Sequence, residues 1–231
     1  FFLGISSKDI LKYTDIKKTI VLIQMSFEHD KYIIARELLS KETCKIAEQY
    51  CLFKMLNESE TEDHQVPGTH AVYADSLMET LLLHTKPKIE ELTGLSLMPT
   101  YSYYRVYKPG DVLPDHKDRS ACEISATVTL GIRHIGKSDN YRWCLHSYVN
   151  GEKRYLECNV GDAVIYKGCE IEHGRDKFDV DEYSYQVQCF LHYVNVNGPT
   201  YTEELKYDRR PSIGFKVKET IVNNGRPEIG C

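Results

Sequence analysis

The chain contains no apolar run approaching the roughly 20 residues needed to cross a bilayer, so no membrane-spanning helix is expected. Phe1-Phe-Leu-Gly-Ile5 is apolar but lacks a basic leading segment and a full hydrophobic stretch, which argues against a signal peptide. The chain opens on Phe1 rather than methionine, as a processed or excised chain would. There is also no excess of basic charge. With 29 Lys+Arg against 34 Asp+Glu the formal charge is −5, which disfavours nucleic acid or an anionic membrane surface as partner. No CxxC pair occurs among the eight cysteines, so a structural zinc site is disfavoured. A domain of 231 residues does not need disulfide staples; free thiols in a reducing, cytoplasmic compartment are the expectation. Internal repeats and low-complexity tracts are missing too.

What is present is a soluble globular composition, 42% hydrophobic and 27% charged, sized for one domain with helical additions. Residues 1–96 read as N-terminal strands and supporting helices. Residues 19–27 form an apolar run expected as a buried strand, and Tyr32–Leu39 reads as another strand leading into a helix capped by Ser40. Cys44 and Cys51, seven apart, fall on one face of that helix as small core residues. The polar stretch 57–70, with Pro67-Gly68, reads as a loop. Asp75 is placed to cap a second helix that Pro87 should break or restart and Gly94 should end.

From residue 97 to 196 the pattern turns to short β-rich runs, 99–107, 122–132, 141–149, 153–158, 162–167 and 183–196, with turn residues between them. Asn150-Gly151 is a hairpin signal. Many closely spaced strands imply a sandwich or barrel. Residues 197–231 are polar and read as a lid or a mobile end.

The chemistry concentrates in three places. Leu113-Pro-Asp-His-Lys-Asp118 puts His116 and Asp118 two apart, hence on one side of a strand, and His173 follows in Glu172-His-Gly-Arg175. Two imidazoles and a carboxylate can hold Fe(II) on one face of its coordination sphere and leave the opposite face open. An HxD triplet alone is weak evidence, since Asp-His-Lys-Asp-Arg would serve equally as a charged surface turn. The 173 − 116 = 57 residues between the histidines are enough for several strands that return the third ligand. His29, His64, His70, His84, His134, His146 and His192 lack such an arrangement. Ahead of the pair, Tyr101, Tyr103, Arg105 and Tyr107 alternate along a strand and share one polar-aromatic face, suited to an anionic small molecule or to a plain tyrosine-rich rim.

Taken together, Tyr107-Lys-Pro-Gly110, Leu113-Pro-Asp-His-Lys-Asp118, Gly161-Asp-Ala-Val-Ile-Tyr166, Glu172-His173 and Tyr185–Tyr193 resemble the Fe(II)/2-oxoglutarate-dependent dioxygenases of the prolyl 4-hydroxylase-like group. The resemblance covers about 100 residues, and more with the helices. It implies a mainly β fold with flanking helices, a double-stranded β-helix (jelly-roll) core. It further implies His116, Asp118 and His173 as metal ligands and Tyr107 as a contact of 2-oxoglutarate. Asp118 separates the chain from halogenating relatives, in which a small residue replaces the carboxylate. The implied activity is hydroxylation of an aliphatic carbon in a peptidyl, prolyl or small amino-acid-like substrate. Molecular oxygen is consumed, succinate and carbon dioxide are co-products, and ascorbate is a candidate reductant.

One departure stands out. The family sets an Arg or Lys a short way past the distal histidine to clamp 2-oxoglutarate, and Glu182-Tyr-Ser-Tyr185 has none; Gln186 and Gln188 lie near that place. A guanidinium fits a carboxylate best, which leaves Arg175 or Arg105 as clamp candidates and Arg119 as a substrate or co-substrate contact. Salt bridges to nearby acids are the competing role for Arg119 and Arg175. Three alternatives stay open: a non-catalytic jelly-roll binding module, a cupin-type metalloenzyme without 2-oxoglutarate, and a nucleobase demethylase using a local strip of Arg105, Arg119, Arg133 and Lys137. The sequence assigns no oligomeric state.

Overall fold

The computed structural model describes residues 7–57, 64–149 and 151–215. Its helices are α1 (Ser7–Asp30), α2 (Lys41–Asn57) and α3 (Ser76–Thr93). Its strands are β1 (Tyr32–Ala35), β2 (His70–Tyr73), β3 (Leu97–Tyr107), β4 (Leu113–His116) and β5 (Ile124–Arg133), then β6 (Leu145–Val149), β7 (Glu152–Leu156), β8 (Ala163–Lys167), β9 (His173–Arg175) and β10 (Tyr185–Asn195). They form a six-stranded sheet, β1-β8-β5-β10-β3-β2, and a four-stranded sheet, β4-β9-β6-β7, antiparallel at every pairing. This is the mainly β jelly-roll expected.

Both faces of the large sheet are covered, and alternation along its strands sends different side chains to each. Tyr104 and Val106 of β3, Ile124, Ala126, Val128 and Leu130 of β5, and Val187, Cys189, Leu191 and Tyr193 of β10 face outward. There they pack with Phe27, Cys44, Cys51, Met78, Leu82 and Ile89 of the helices. The opposite residues, among them Tyr107, Val164, Tyr166 and Phe190, point between the sheets against Leu113, Trp143, Leu145, Leu156 and Phe178.

Ser40 caps α2, its Oγ accepting the Thr43 amide at 3.1 Å. Cys44 and Cys51 are fully buried, and the cysteines of the described residues are free thiols. Asp75 caps α3 by accepting the Leu77 amide at 2.9 Å, and Gly94 ends it at φ 74°, the left-handed region open to glycine. At Gly161, φ 92°, a Cβ would lie 2.6 Å from the Leu39 carbonyl, so this close turn also requires glycine.

Several expectations are corrected. Residues 19–27 are not a strand but the end of α1. Only Phe27 is buried there and Ile20 and Ile23 are half-buried, while Val21, Leu22 and Met25 face solvent, so length decided against the β reading of an apolar run. Pro87 does not break α3. It sits on the exposed face four residues after exposed Leu83, whose carbonyl water can satisfy, so the lost hydrogen bond is tolerated. The stretch 57–70 is not loop to its end, because His70 opens β2, paired with Val106 of β3. The β6–β7 hairpin joins Val149 to Glu152 with Gly151 at φ 82°, but Asn150 lies outside the described residues.

Residues 197–215 run back along the core as a strap. Arg210 donates to the Glu79 carboxylate at 2.5 Å, both side chains buried, and to the Thr100 carbonyl at 2.9 Å. Asp208 accepts a two-pronged bond from Arg119, 2.8 Å each, and the Tyr73 hydroxyl at 2.6 Å. Tyr207, Asp208 and Arg209 hold φ of 52°, 53° and 62°, a conformation costing about 1–2 kcal/mol per residue, which the charge-assisted bonds offset. The leading residues 1–6 and the rest of the tail, 216–231, lie outside the described residues.

Asp75 also accepts the Tyr50 hydroxyl at 2.8 Å and Lys54 at 3.3 Å, tying α2 to the start of α3. Asp75→Ala should therefore lower unfolding free energy by about 2–3 kcal/mol, the lost cap plus the stranded partners. Urea denaturation checks this, and a loss below that of an ordinary exposed cap contradicts it.

Candidate metal centre

His116 ends β4, Asp118 follows in the turn, and His173 opens β9, paired with His116 across the ladder. Their donor atoms lie within 4.8 Å of one another. Asp118 Oδ1 is 3.5 Å from Nε2 of His116 and 3.5 Å from Nε2 of His173. The Nδ1 atoms sit on backbone carbonyls, His116 on Pro114 at 2.8 Å and His173 on Ile171 at 3.2 Å. A carbonyl only accepts, so each Nδ1 carries a proton and each Nε2 is left to face Asp118, as an N–H donor when the ring is charged and as a lone pair for a metal when it is neutral. Cis ligands on bonds of about 2.1 Å lie about 3 Å apart, so this donor set fits a divalent cation with little movement. Asp118 and His173 have side chains only 2% exposed and His116 21%, which leaves an approach from one side.

Burial opposes charge on Asp118, but hydrogen bonds to His116 and His173 outweigh it and hold the carboxyl far below its ordinary range. Burial likewise lowers the His116 value, and the Asp118 hydrogen bond more than reverses it, so His116 is raised. Asp118 Oδ2 accepts the Ser125 hydroxyl at 2.8 Å, and its amide donates to the Gly168 carbonyl at 3.0 Å. A Cβ at Gly168 would lie 2.2 Å from that Oδ2 and 2.5 Å from the Cys122 carbonyl, so the turn before β9 packs directly on the carboxylate.

The other expected residues separate. Tyr101, Tyr103, Arg105 and Tyr107 share one face of β3, with Tyr103 and Tyr107 packed between the sheets and Tyr101 in a separate cluster with Ala121 and Cys122. Arg105 lies over the Tyr103 ring at 5.1 Å and donates to Tyr107 Oη at 3.4 Å and Gln65 at 2.6 Å. Arg119 is committed to Asp208 and stacks on Tyr101 at 4.7 Å, the salt-bridge role. Arg175 extends from β9 two residues past His173. It is buried beside Trp143 at 5.0 Å and Tyr107 at 5.9 Å, and it donates to the Trp143 carbonyl at 2.6 Å. Its Nε has no partner, and among the described residues no carboxylate pairs with it. Burial lowers its pKa. Gln186 and Gln188 are occupied, the first with His134 and the Trp143 carbonyl, the second with Thr127 and Thr129.

Sequence reasoning missed Ser125 and His192, which stand opposite each other in the β5–β10 ladder, and it set His192 aside. Nothing in their local pattern marks them, because the contact depends on register between strands far apart in the chain.

No family model matches the chain, and no curated protein matches it. Solved structures do match in fold. The alpha-ketoglutarate-dependent epimerase SnoN of nogalamycin biosynthesis superposes with TM-score 0.66 at 14% identity, over 87% of this chain and 92% of that one. A Pseudomonas putida prolyl-4-hydroxylase gives 0.57 at 14%, over 75% and 98%. HygX from Streptomyces hygroscopicus, solved with nickel and 2-oxoglutarate, gives 0.58 at 11%, over 78% and 89%. The chain has the jelly-roll fold of these oxygenases.

In metal-free protein His116 should titrate above the ordinary imidazole value, and Asp118→Asn should return it toward or below that value. A raised histidine contributes stability that is complete below its unfolded pKa and lost as pH rises through the folded one. Ring-proton NMR titration reads this directly. A His116 titrating below the ordinary value with Asp118 intact contradicts the electrostatic account.

Proposed function

We propose that the protein is an Fe(II)- and 2-oxoglutarate-dependent oxygenase with His116, Asp118 and His173 as the metal ligands. The observation that carries this reading is the convergence of two imidazole Nε2 atoms on one carboxylate oxygen, at the rim of a jelly roll. The donor set is the two-histidine, one-carboxylate face suited to non-haem Fe(II). Bound iron would supply oxidative decarboxylation of 2-oxoglutarate coupled to oxidation of the substrate.

The chain's own groups do the positioning. Pro114 and Ile171 carbonyls fix the two imidazole tautomers, and Ser125 and Gly168 fix the carboxylate. Arg175 is the better clamp for the distal carboxylate of 2-oxoglutarate. A buried guanidinium without an acid partner is costly, and an arriving carboxylate supplies the missing counter-charge. Tyr107, on the large sheet beside Arg175 of the small one, is placed to add a hydroxyl contact, with Tyr103 and Arg105 further along its strand. The aromatic walls of Tyr107, Trp143 and Phe178 keep water from that end. Because Asp118 keeps the third ligand position, hydroxylation of an aliphatic carbon is the reading for the outcome. A peptidyl or small amino-acid-like substrate fits a mouth edged by the half-buried Tyr103, with Arg105 beneath it.

Metal-loaded protein should convert 2-oxoglutarate to succinate, and His116→Ala or Asp118→Ala should reduce this to background while circular dichroism stays unchanged. Retained succinate formation in either variant overturns the ligand assignment. One equivalent of Fe(II) bound without succinate, across broad substrate pools, favours the non-catalytic binding module instead. Arg175→Gln should raise KM for 2-oxoglutarate roughly 30-fold or more, as loss of a buried charge pair does. An unchanged KM there, with a raised KM in Arg105→Gln, moves the clamp to Arg105.

A further inference from the structure

The two oxygens of Asp118 have different surroundings. Oδ1 faces both imidazoles at 3.5 Å, whereas Oδ2 is turned away and bonded by Ser125 Oγ at 2.8 Å. Ser125 Oγ is in turn 2.9 Å from Nδ1 of His192, and all three side chains are buried. The protons can be assigned by inventory. The Cys122 carbonyl also lies near Oγ, at 3.1 Å, but the charged Oδ2 is closer and the stronger acceptor, so it takes the single Ser125 hydroxyl proton; with that proton committed, His192 Nδ1 must donate to Oγ. His192 is held in place by the Tyr101 ring at 4.5 Å, and Tyr101 carries the Arg119 guanidinium at 4.7 Å, which Asp208 of the strap grips.

On the reading of His116, Asp118 and His173 as metal ligands, we infer that Ser125 and His192 are positioning residues that hold Asp118 as a one-oxygen ligand. With Oδ2 capped by a directed hydroxyl and packed against Gly168, the carboxylate cannot rotate to bring both oxygens to the metal. The coordination face opposite the three protein ligands then stays open for a chelating co-substrate. A carboxylate free to bind through two oxygens would compete for one of those positions.

A rival arrangement uses the same atoms. Asp118, Cys122 and His192 also place donor atoms within 4.8 Å, and Cys122 Sγ lies 3.0 Å from Tyr101 Oη. If that group held the metal, His192 would be a ligand rather than a positioning residue.

The test is anaerobic titration of the metal-free full chain with Co(II), followed by visible absorption and affinity, neither of which depends on turnover. Wild-type protein should bind one Co(II) with no thiolate charge-transfer band. Ser125→Ala should weaken binding about tenfold or more and shift the ligand-field bands, as loss of an outer partner of a ligating carboxylate does. Ser125→Thr, which keeps the hydroxyl, should restore both. His192→Phe keeps a ring against Tyr101 but removes the donor, and should shift the bands in the same direction by less. If Ser125→Ala does not fold, His192→Phe carries the test. Wild-type affinity and spectrum in folded Ser125→Ala or His192→Phe overturn the inference. A thiolate band that disappears in Cys122→Ala overturns it in favour of the rival site. Absence of Co(II) binding by the wild-type chain instead brings down the metal reading on which the inference rests.

Discussion

A sheet covered on both faces must divide its side chains between two environments, and everything else in this protein depends on how that division falls. Along β3, β5 and β10 the outward residues are apolar and meet the helices, while the inward ones include Tyr107, Arg105, Ser125, Thr127, Thr129, Gln186, Gln188 and His192. The strict period of two makes the separation possible, because a shift of one residue would exchange the two sets. The bulges recorded in the β10 pairings, between Leu191 and Tyr193 against β3 and between Val187 and Gln188 against β5, adjust the ladder locally.

An inner layer that polar must satisfy itself, since a buried donor or acceptor without a partner costs about 1–3 kcal/mol. Most of it does: Thr127 and Thr129 hold Gln188, the Trp143 carbonyl receives Arg175 and Gln186, and Ser125 links His192 to Asp118. Arg175 is one exception, a buried cation with an unbonded Nε beside two aromatic rings. The small sheet contributes differently. β4 and β9 are short, and their pairing sets His116 against His173 so that Asp118, in the turn between layers, meets both.

The strap after β10 links surface to site. Arg210 and Glu79 anchor it in a buried pair, and Asp208 reaches Arg119, the neighbour of Asp118 in sequence. Its three left-handed residues are held by those charged bonds, and its path alongside β3 covers one flank of the tyrosine-bearing strand.

Much of this was legible in the chain itself. Alternation, turn residues and caps determined the β-rich stretch, the Ser40 and Asp75 helix starts and the Gly94 stop, because these are local matters of backbone geometry. The pattern of His116, Asp118 and His173 was legible as a candidate for the same reason: two of the three sit on one short segment. Local pattern failed where burial arbitrates, as at residues 19–27, where an apolar run fits helix or strand until its exposed face is known. It failed too at β2, which is a strand only because β3 offers an edge to pair with. Tertiary structure alone decided the fate of the arginines, giving Arg119 to Asp208 and leaving Arg175 buried without an acid. It alone joined Ser125 and His192 to Asp118. Those outcomes depend on which side chains meet when they are 67 or 89 residues apart in the chain, and spacing along a chain does not encode a distance through space.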